Sequence, residues 1–169
     1  MRGLIVTFGV LALAAGATQA QEDETQEFVK EATVSNNFEI ASSELALERS
    51  QNRAIRRFAE HMIEDHRKAG QDLERAAGDT ELGVGTRETL DKKHAGMMQE
   101  LGDARGAEFD RLYVEMQVAA HDEAVDLFED YVEEEDASAP VQRFARETLP
   151  VLEEHERQVR QLDRRMARE

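Results

Sequence analysis

Cysteine and tryptophan are absent from the 169 residues, proline occurs twice, and aromatic residues make up 5% of the chain. Without cysteine the chain forms no disulfide, so its stability has to come from packing. No run of alternating β-branched residues appears, which argues against strands and sheets. The sequence therefore predicts an all-α protein.

Basic residues are also few, since 21 Lys and Arg stand against 37 Asp and Glu, for a net charge of −16. A surface this acidic repels phosphate groups, which argues against nucleic acid or anionic lipid as a partner. The simplest interpretation is a well-solvated surface. The alternative is attraction of cations or of a basic partner.

The long apolar run of the sequence lies at the N-terminus. Arg2 precedes the apolar stretch Leu4–Ala15, which is shorter than the roughly 20 residues of a spanning helix. Residues 1–20 therefore resemble a cleaved signal peptide, and 21–169 are expected to form one domain with no integral membrane span. A cut after Ala17 and an uncleaved anchor are the alternatives. No cysteine is available for lipid attachment, so the expected location is the periplasm or the exterior.

The remaining chain places apolar residues at intervals of three and four, which predicts amphipathic helices. Four long helices and one short helix are expected, at residues 25–50, 53–78, 86–101, 107–134 and 138–169. The short turn after the first helix makes the first two helices antiparallel neighbours. Thr25 is expected to cap the first helix, and Pro150 is expected to bend the last one.

Three of the long helices carry a histidine on the apolar face. His66 lies in the stripe of the second helix and His121 in that of the third. In the last helix His155 takes the place between the inward-facing Val151 and Val159. Three inward histidines on three helices indicate one buried polar site.

Two acidic residues accompany these histidines, Glu39 on the inward stripe of the first helix and Asp65 beside His66. Counted from the short turns, His121 and His155 fall within about 3 Å of the same height, and Glu39 within about 4.5 Å of His66. Imidazole and carboxylate are good ligands for divalent first-row transition metals. The sequence predicts a metal site with Glu39, His66, His121 and His155 as ligands and Asp65 as an outer partner.

The pattern does not fit a ferritin-type diiron oxidase, which needs Glu-x-x-His on two helices. The positions three before the inward histidines are Ile63, Val118 and Leu152. A mononuclear or atypical site remains, without a choice among zinc, copper, iron and manganese. The alternative is a metal-free histidine–glutamate hydrogen-bond network that fixes helix register. His61 and His94 are expected to be solvated.

Four segments of the chain resemble a known bacterial family. They are residues 36–40, 58–66, 109–113 together with His121, and 149–155. The pattern resembles domain-of-unknown-function family 4142, whose members are typically exported and often labelled outer-membrane proteins. The resemblance covers about 27–162 and implies a ferritin-like, antiparallel four-helix bundle. It implies no activity.

Two functions are compatible with these residues. The first is an exported protein that binds a transition metal in its core, in envelope stress protection or metal handling. The second is a structural or interaction module of the cell envelope with a metal-free core network. Covalent catalysis has no support, because no serine or cysteine nucleophile lies beside a base on the inward stripes.

Overall fold

A computed structural model describes the backbone of residues 13–78 and 90–168 and the side chains from Glu24 onward within those ranges. Its helices are α1 (Leu13–Arg49), α2 (Arg53–Gly78), α3 (Lys92–Asp103), α4 (Ala107–Glu133) and α5 (Ala139–Met166). The two described ranges contain no strand. The prediction of an all-α protein is confirmed.

Side-chain hydrogen bonds cap the N-terminal ends of α2 and α3. Before α2, the Asn52 side chain accepts a hydrogen bond from the backbone nitrogen of Ala54 at 2.9 Å. Asp91 caps α3 by accepting one from the His94 nitrogen at 2.8 Å. The short helix therefore begins at Lys92, because Asp91 ends the non-helical segment, and its predicted start at residue 86 lies outside the described residues.

The first helix begins earlier than the sequence predicts. α1 starts at Leu13, so Thr25 lies inside the helix and cannot cap it. The Thr25 hydroxyl instead lies 3.0 Å from the hydroxyl of Tyr131 on α4, and this contact ties the two helices together. The predicted cleavage position after residue 20 falls within α1, and residues 1–12 lie outside the described residues.

The four long helices pack in a ring. α1 contacts α2 and α4, while α5 contacts the same two helices from the other side. The short α3 lies against α1 and α4. No helix in the described ranges has both the length and the apolar character needed to cross a membrane.

The apolar core has two clusters, and the inward histidines lie between them. The first cluster includes Phe38, Ile55, Met62, Phe109, Tyr113 and Val159. The second cluster includes Phe28, Leu73, Phe128, Phe144 and Leu152. Along α2, α4 and α5, each histidine follows residues of one cluster and precedes residues of the other. The fold thus encloses a polar layer between two apolar ones.

The prediction that Val151 faces the core is wrong. Val151 is 41% exposed, and its neighbour Leu152 is buried in the second cluster. Val151 lines a surface groove of about 560 Å³ between α2 and α5, so this edge of the apolar stripe meets solvent. α5 passes through Pro150 as one helix.

Candidate metal centre

Each of the four long helices places one ionisable side chain in the polar layer. Glu39 comes from α1, His66 from α2, His121 from α4 and His155 from α5, and all four are at most 5% exposed. The three imidazole rings form a triangle with centroids 5.5–5.8 Å apart. The structure therefore brings the three predicted histidines together.

Each imidazole has one nitrogen held by an oxygen acceptor. The pairs are His66 Nδ1 with Asn36 Oδ1 at 3.2 Å, His121 Nδ1 with the Gln117 carbonyl at 2.9 Å, and His155 Nε2 with Asp65 Oδ2 at 2.9 Å. An amide oxygen, a carbonyl and a carboxylate accept hydrogen bonds, so the ring nitrogen in each pair donates its proton. The second nitrogen of each neutral ring then carries a free lone pair.

Those second nitrogens are buried and unpaired. His66 Nε2, His121 Nε2 and His155 Nδ1 have no hydrogen-bond partner in the described part of the chain. One potential ligand atom from each of the three residues lies within 4.8 Å of the others. A buried polar atom without a partner costs about 1–3 kcal/mol, so three at one place call for a binding role.

The protonation of the rings also suits coordination. Burial lowers the pKa of His66 well below its ordinary value, and positive charge on His121 or His155 would lower it further. Burial lowers the pKa of His155 too, although its hydrogen bond to Asp65 opposes the shift. Both rings are therefore neutral near pH 7, which is the form that binds a metal.

Glu39 adjoins the three histidines on the far side of His121. Its Oε1 lies 3.8 Å from His121 Nδ1, the nitrogen that already faces the Gln117 carbonyl. Neither carboxylate oxygen has a hydrogen-bond partner among the described residues. Burial raises the pKa of Glu39, and the nearby His121 and Gln117 side chains act in the opposite direction. A cation in the core would favour the ionised carboxylate.

A second group of ligand atoms lies at the rim of this site. Asp65 Oδ2 is 3.0 Å from His61 Nε2 and 2.9 Å from His155 Nε2. The His61 side chain is 44% exposed, so the prediction that it is solvated holds, but sequence reasoning missed its contact with Asp65. The prediction that His94 is solvated was wrong, since its side chain is only 12% exposed. Its ring centroid lies 5.2 Å from that of Phe38, because α3 lies against α1.

Sequence reasoning also missed Asn36 as a partner of His66. It lies three residues before Glu39, on the same side of α1, so helical periodicity alone could have placed it near the site. Gly70 on α2 makes room for it, since a Cβ added there would lie 3.0 Å from Asn36 Nδ2. Asn36, Gly70 and His66 also line a small cavity of about 30 Å³, which is large enough for one water molecule.

These features define a helical bundle with a polar, histidine-lined layer in its core. A solved structure of a DUF305 fragment from Deinococcus radiodurans is similar in fold, with a TM-score of 0.70 and 21% identity, covering 84% of this chain and 96% of that one. The chain belongs to the family described as a domain of unknown function, DUF4142, whose profile matches residues 10–162. The predicted family is thus confirmed. No curated protein matches the chain.

Proposed function

We propose that the core binds one divalent first-row transition metal ion per chain. The ligands are His66 Nε2, His121 Nε2 and His155 Nδ1. The observation that carries the proposal is that one potential ligand atom from each of the three histidines lies within 4.8 Å of the others. One nitrogen of each ring is also buried with no hydrogen-bond partner among the described residues, while the other nitrogen donates a hydrogen bond. Each neutral imidazole therefore offers one lone pair to the ion.

The partners of the held nitrogens support this assignment. A histidine that ligates a metal usually donates its other N–H to a carboxylate, a carbonyl or water, which fixes the tautomer and the ring orientation. Asn36, the Gln117 carbonyl and Asp65 supply such acceptors. In this arrangement Asp65 is the outer partner, and Glu39 is the buried negative charge that balances the ion beside His121. A ligand set of three imidazoles suits zinc, copper and iron better than manganese, which prefers oxygen ligands.

Calorimetric titration of metal-stripped protein with zinc, copper, iron and manganese salts tests the proposal. We expect one ion per chain for the wild type and loss of this binding in the His66→Leu, His155→Leu double variant. His94→Ala is the matched control, because it removes an imidazole that belongs to neither group of potential metal ligands. Absence of binding heat with all four ions, or equal binding by the double variant, would leave a metal-free network that acts only in structure.

We also propose that α1, α2, α4 and α5 form a ferritin-like antiparallel four-helix bundle. The short connections 50–52 and 134–138 support it, because each joins two long helices that pack together. The longer connection between α2 and α4 contains α3. A crystal structure tests this arrangement, and a parallel α1–α2 or α4–α5 pair would contradict it.

The location follows from the signal-like N-terminus. We place the protein in the periplasm or outside the cell, with a mature chain from Gln21 and a role in envelope metal handling or stress protection. Arg2 and the apolar stretch Leu4–Ala15 support export. Intact-mass measurement of protein from the periplasmic fraction tests it. A mass that includes Leu4–Ala15 would mean a retained anchor.

A further inference from the structure

The carboxylate of Asp65 joins the buried site to the surface. Its Oδ2 lies between two imidazole nitrogens, 3.0 Å from His61 Nε2 and 2.9 Å from His155 Nε2. One ligand atom from each of these three residues lies within 4.8 Å of the others. Exposure falls along the series, from 44% for the His61 side chain to 29% for Asp65 and 2% for His155. The three side chains, each with a potential ligand atom, form a row that leads from solvent to the core.

His155 belongs to both groups through different atoms. Its Nε2 faces Asp65 at the rim, whereas its Nδ1 is the unpaired nitrogen of the buried group. A neutral imidazole has one lone pair, so it can serve an ion at only one of its two nitrogens at a time. The rim group and the core group therefore cannot both use His155 as a neutral ligand.

We infer that His61, Asp65 and His155 form a second divalent-cation site, the rim site, which takes an ion from solvent and loads it into the core. This inference rests on the proposed metal binding by His66, His121 and His155. At the rim the ion is bound by two Nε2 atoms and one carboxylate oxygen, a set that suits a first-row divalent metal. The rim site is occupied during loading, and the core site holds the ion at equilibrium.

The surroundings of the rim give an ion access to it. Asp65 lines the open groove of about 560 Å³ between α2 and α5, so the carboxylate is reached from solvent. Glu60 directly precedes His61 and Glu64 directly precedes Asp65, and both glutamates are exposed on α2. With a net charge of −16 the whole chain also attracts cations, which raises the rate of encounter.

Transfer into the core exchanges the roles of the two nitrogens of His155. With the ion at the rim, Nε2 is the ligand and Nδ1 carries the proton. With the ion in the core, Nδ1 is the ligand, and Nε2 carries a proton that it donates to Asp65. One proton leaves Nδ1 and one is taken up at Nε2, both exchanged with water, so the ring is neutral with the ion at either site.

Stopped-flow kinetics of Co²⁺ uptake and release by metal-stripped protein test the inference, with the visible absorption of bound cobalt as the readout. His61→Ala should slow association and dissociation several-fold and by the same factor, because a loading site changes rates and not the core equilibrium. His94→Ala should leave both rates at the wild-type values. Wild-type rates in His61→Ala, or a slower association with an unchanged dissociation rate, would overturn the loading role.

A variant with a blocked core tests the rim site by itself. His66→Leu combined with His121→Leu removes two core ligands and leaves the rim group complete. Calorimetry should show one weakly bound Co²⁺ per chain, and adding His61→Ala should abolish it. Equal binding with and without His61 would overturn the rim site. If the wild type retains no Co²⁺ in the core, the proposed function is refuted. The measurement on the core-blocked variant still tests the rim site separately.

Discussion

Replacing His66 by Leu separates a metal site from a structural network, because the two accounts predict opposite effects on stability. In the metal-free protein His66 Nε2 is buried and has no hydrogen-bond partner among the described residues, which costs about 1–3 kcal/mol. The substitution removes that cost, and it also removes the hydrogen bond from Nδ1 to Asn36, worth about 0.5–1.5 kcal/mol. Leu fits an apolar stripe, and Asn36 is half-buried, so water can replace the lost partner.

The balance favours the variant when no metal is present. We expect the free energy of unfolding of His66→Leu to rise by about 1 kcal/mol in chelator, which raises Tm by about 2–4 °C for a domain of this size. With an ion at a hundredfold excess over its Kd, the wild type gains about 2.7 kcal/mol. The variant has lost one of three ligands and gains much less, so the order of stabilities reverses.

Urea and thermal unfolding followed by circular dichroism, each in chelator and in excess zinc, measure both values. His94→Ala serves as the control, since it should show the same zinc-dependent gain as the wild type. Destabilisation of His66→Leu by more than about 2 kcal/mol in chelator would mean that the imidazole holds the core together through its hydrogen bond. If His66→Leu remains more stable than the wild type in excess zinc, His66 is not a ligand of the bound ion.

Three further predictions concern the metal-free and the metal-loaded protein. Because burial lowers the pKa of His66 and His155, the unfolded chain binds protons more readily at these two residues, so their contribution to stability in chelator should fall as pH drops below about 6.5 and stay constant above it. Urea titrations across pH, compared between the wild type and the His66→Leu, His155→Leu double variant, isolate this contribution. Glu39→Gln should raise the free energy of unfolding of the metal-free protein at pH 7, because burial raises the pKa of Glu39 and its ionisation favours the unfolded chain. The same substitution should weaken zinc binding, and unchanged stability at pH 7 would contradict a buried charge at Glu39. Gly70→Ala should weaken zinc binding, because the added Cβ displaces Asn36 from His66, whereas Gly96→Ala should not, because open space surrounds its Cβ. Calorimetry measures both affinities for zinc, and equal values would show that zinc binding does not need Asn36.

Helical periodicity predicted much of the fold and the gathering of the histidines. The three-and-four spacing placed His66, His121 and His155 on inward faces, and the structure puts their rings within 5.8 Å of one another. Periodicity worked because two short turns fix the relative heights of helix pairs. It failed for Val151, which lies at a groove where two helices do not close on each other.

Other features depend on contacts between helices that a single sequence does not reveal. The burial of His94 results from packing of α3 on α1, and its own helix shows no strong sign of it. The link from His61 through Asp65 to His155 joins α2 to α5 across a distance of 90 residues in sequence. The sequence pattern predicts the start of the first helix at Thr25, whereas α1 starts at Leu13. Which nitrogen of each ring is free follows only from the positions of the acceptors.

X-ray absorption spectroscopy of the zinc-loaded protein counts the imidazole ligands of the bound ion. We expect three imidazole nitrogens at about 2.0–2.1 Å from zinc, one zinc per chain, and loss of this spectrum in the His66→Leu, His155→Leu double variant. A zinc ion surrounded mainly by oxygen, or one whose spectrum is the same in the double variant, would contradict the proposed metal site.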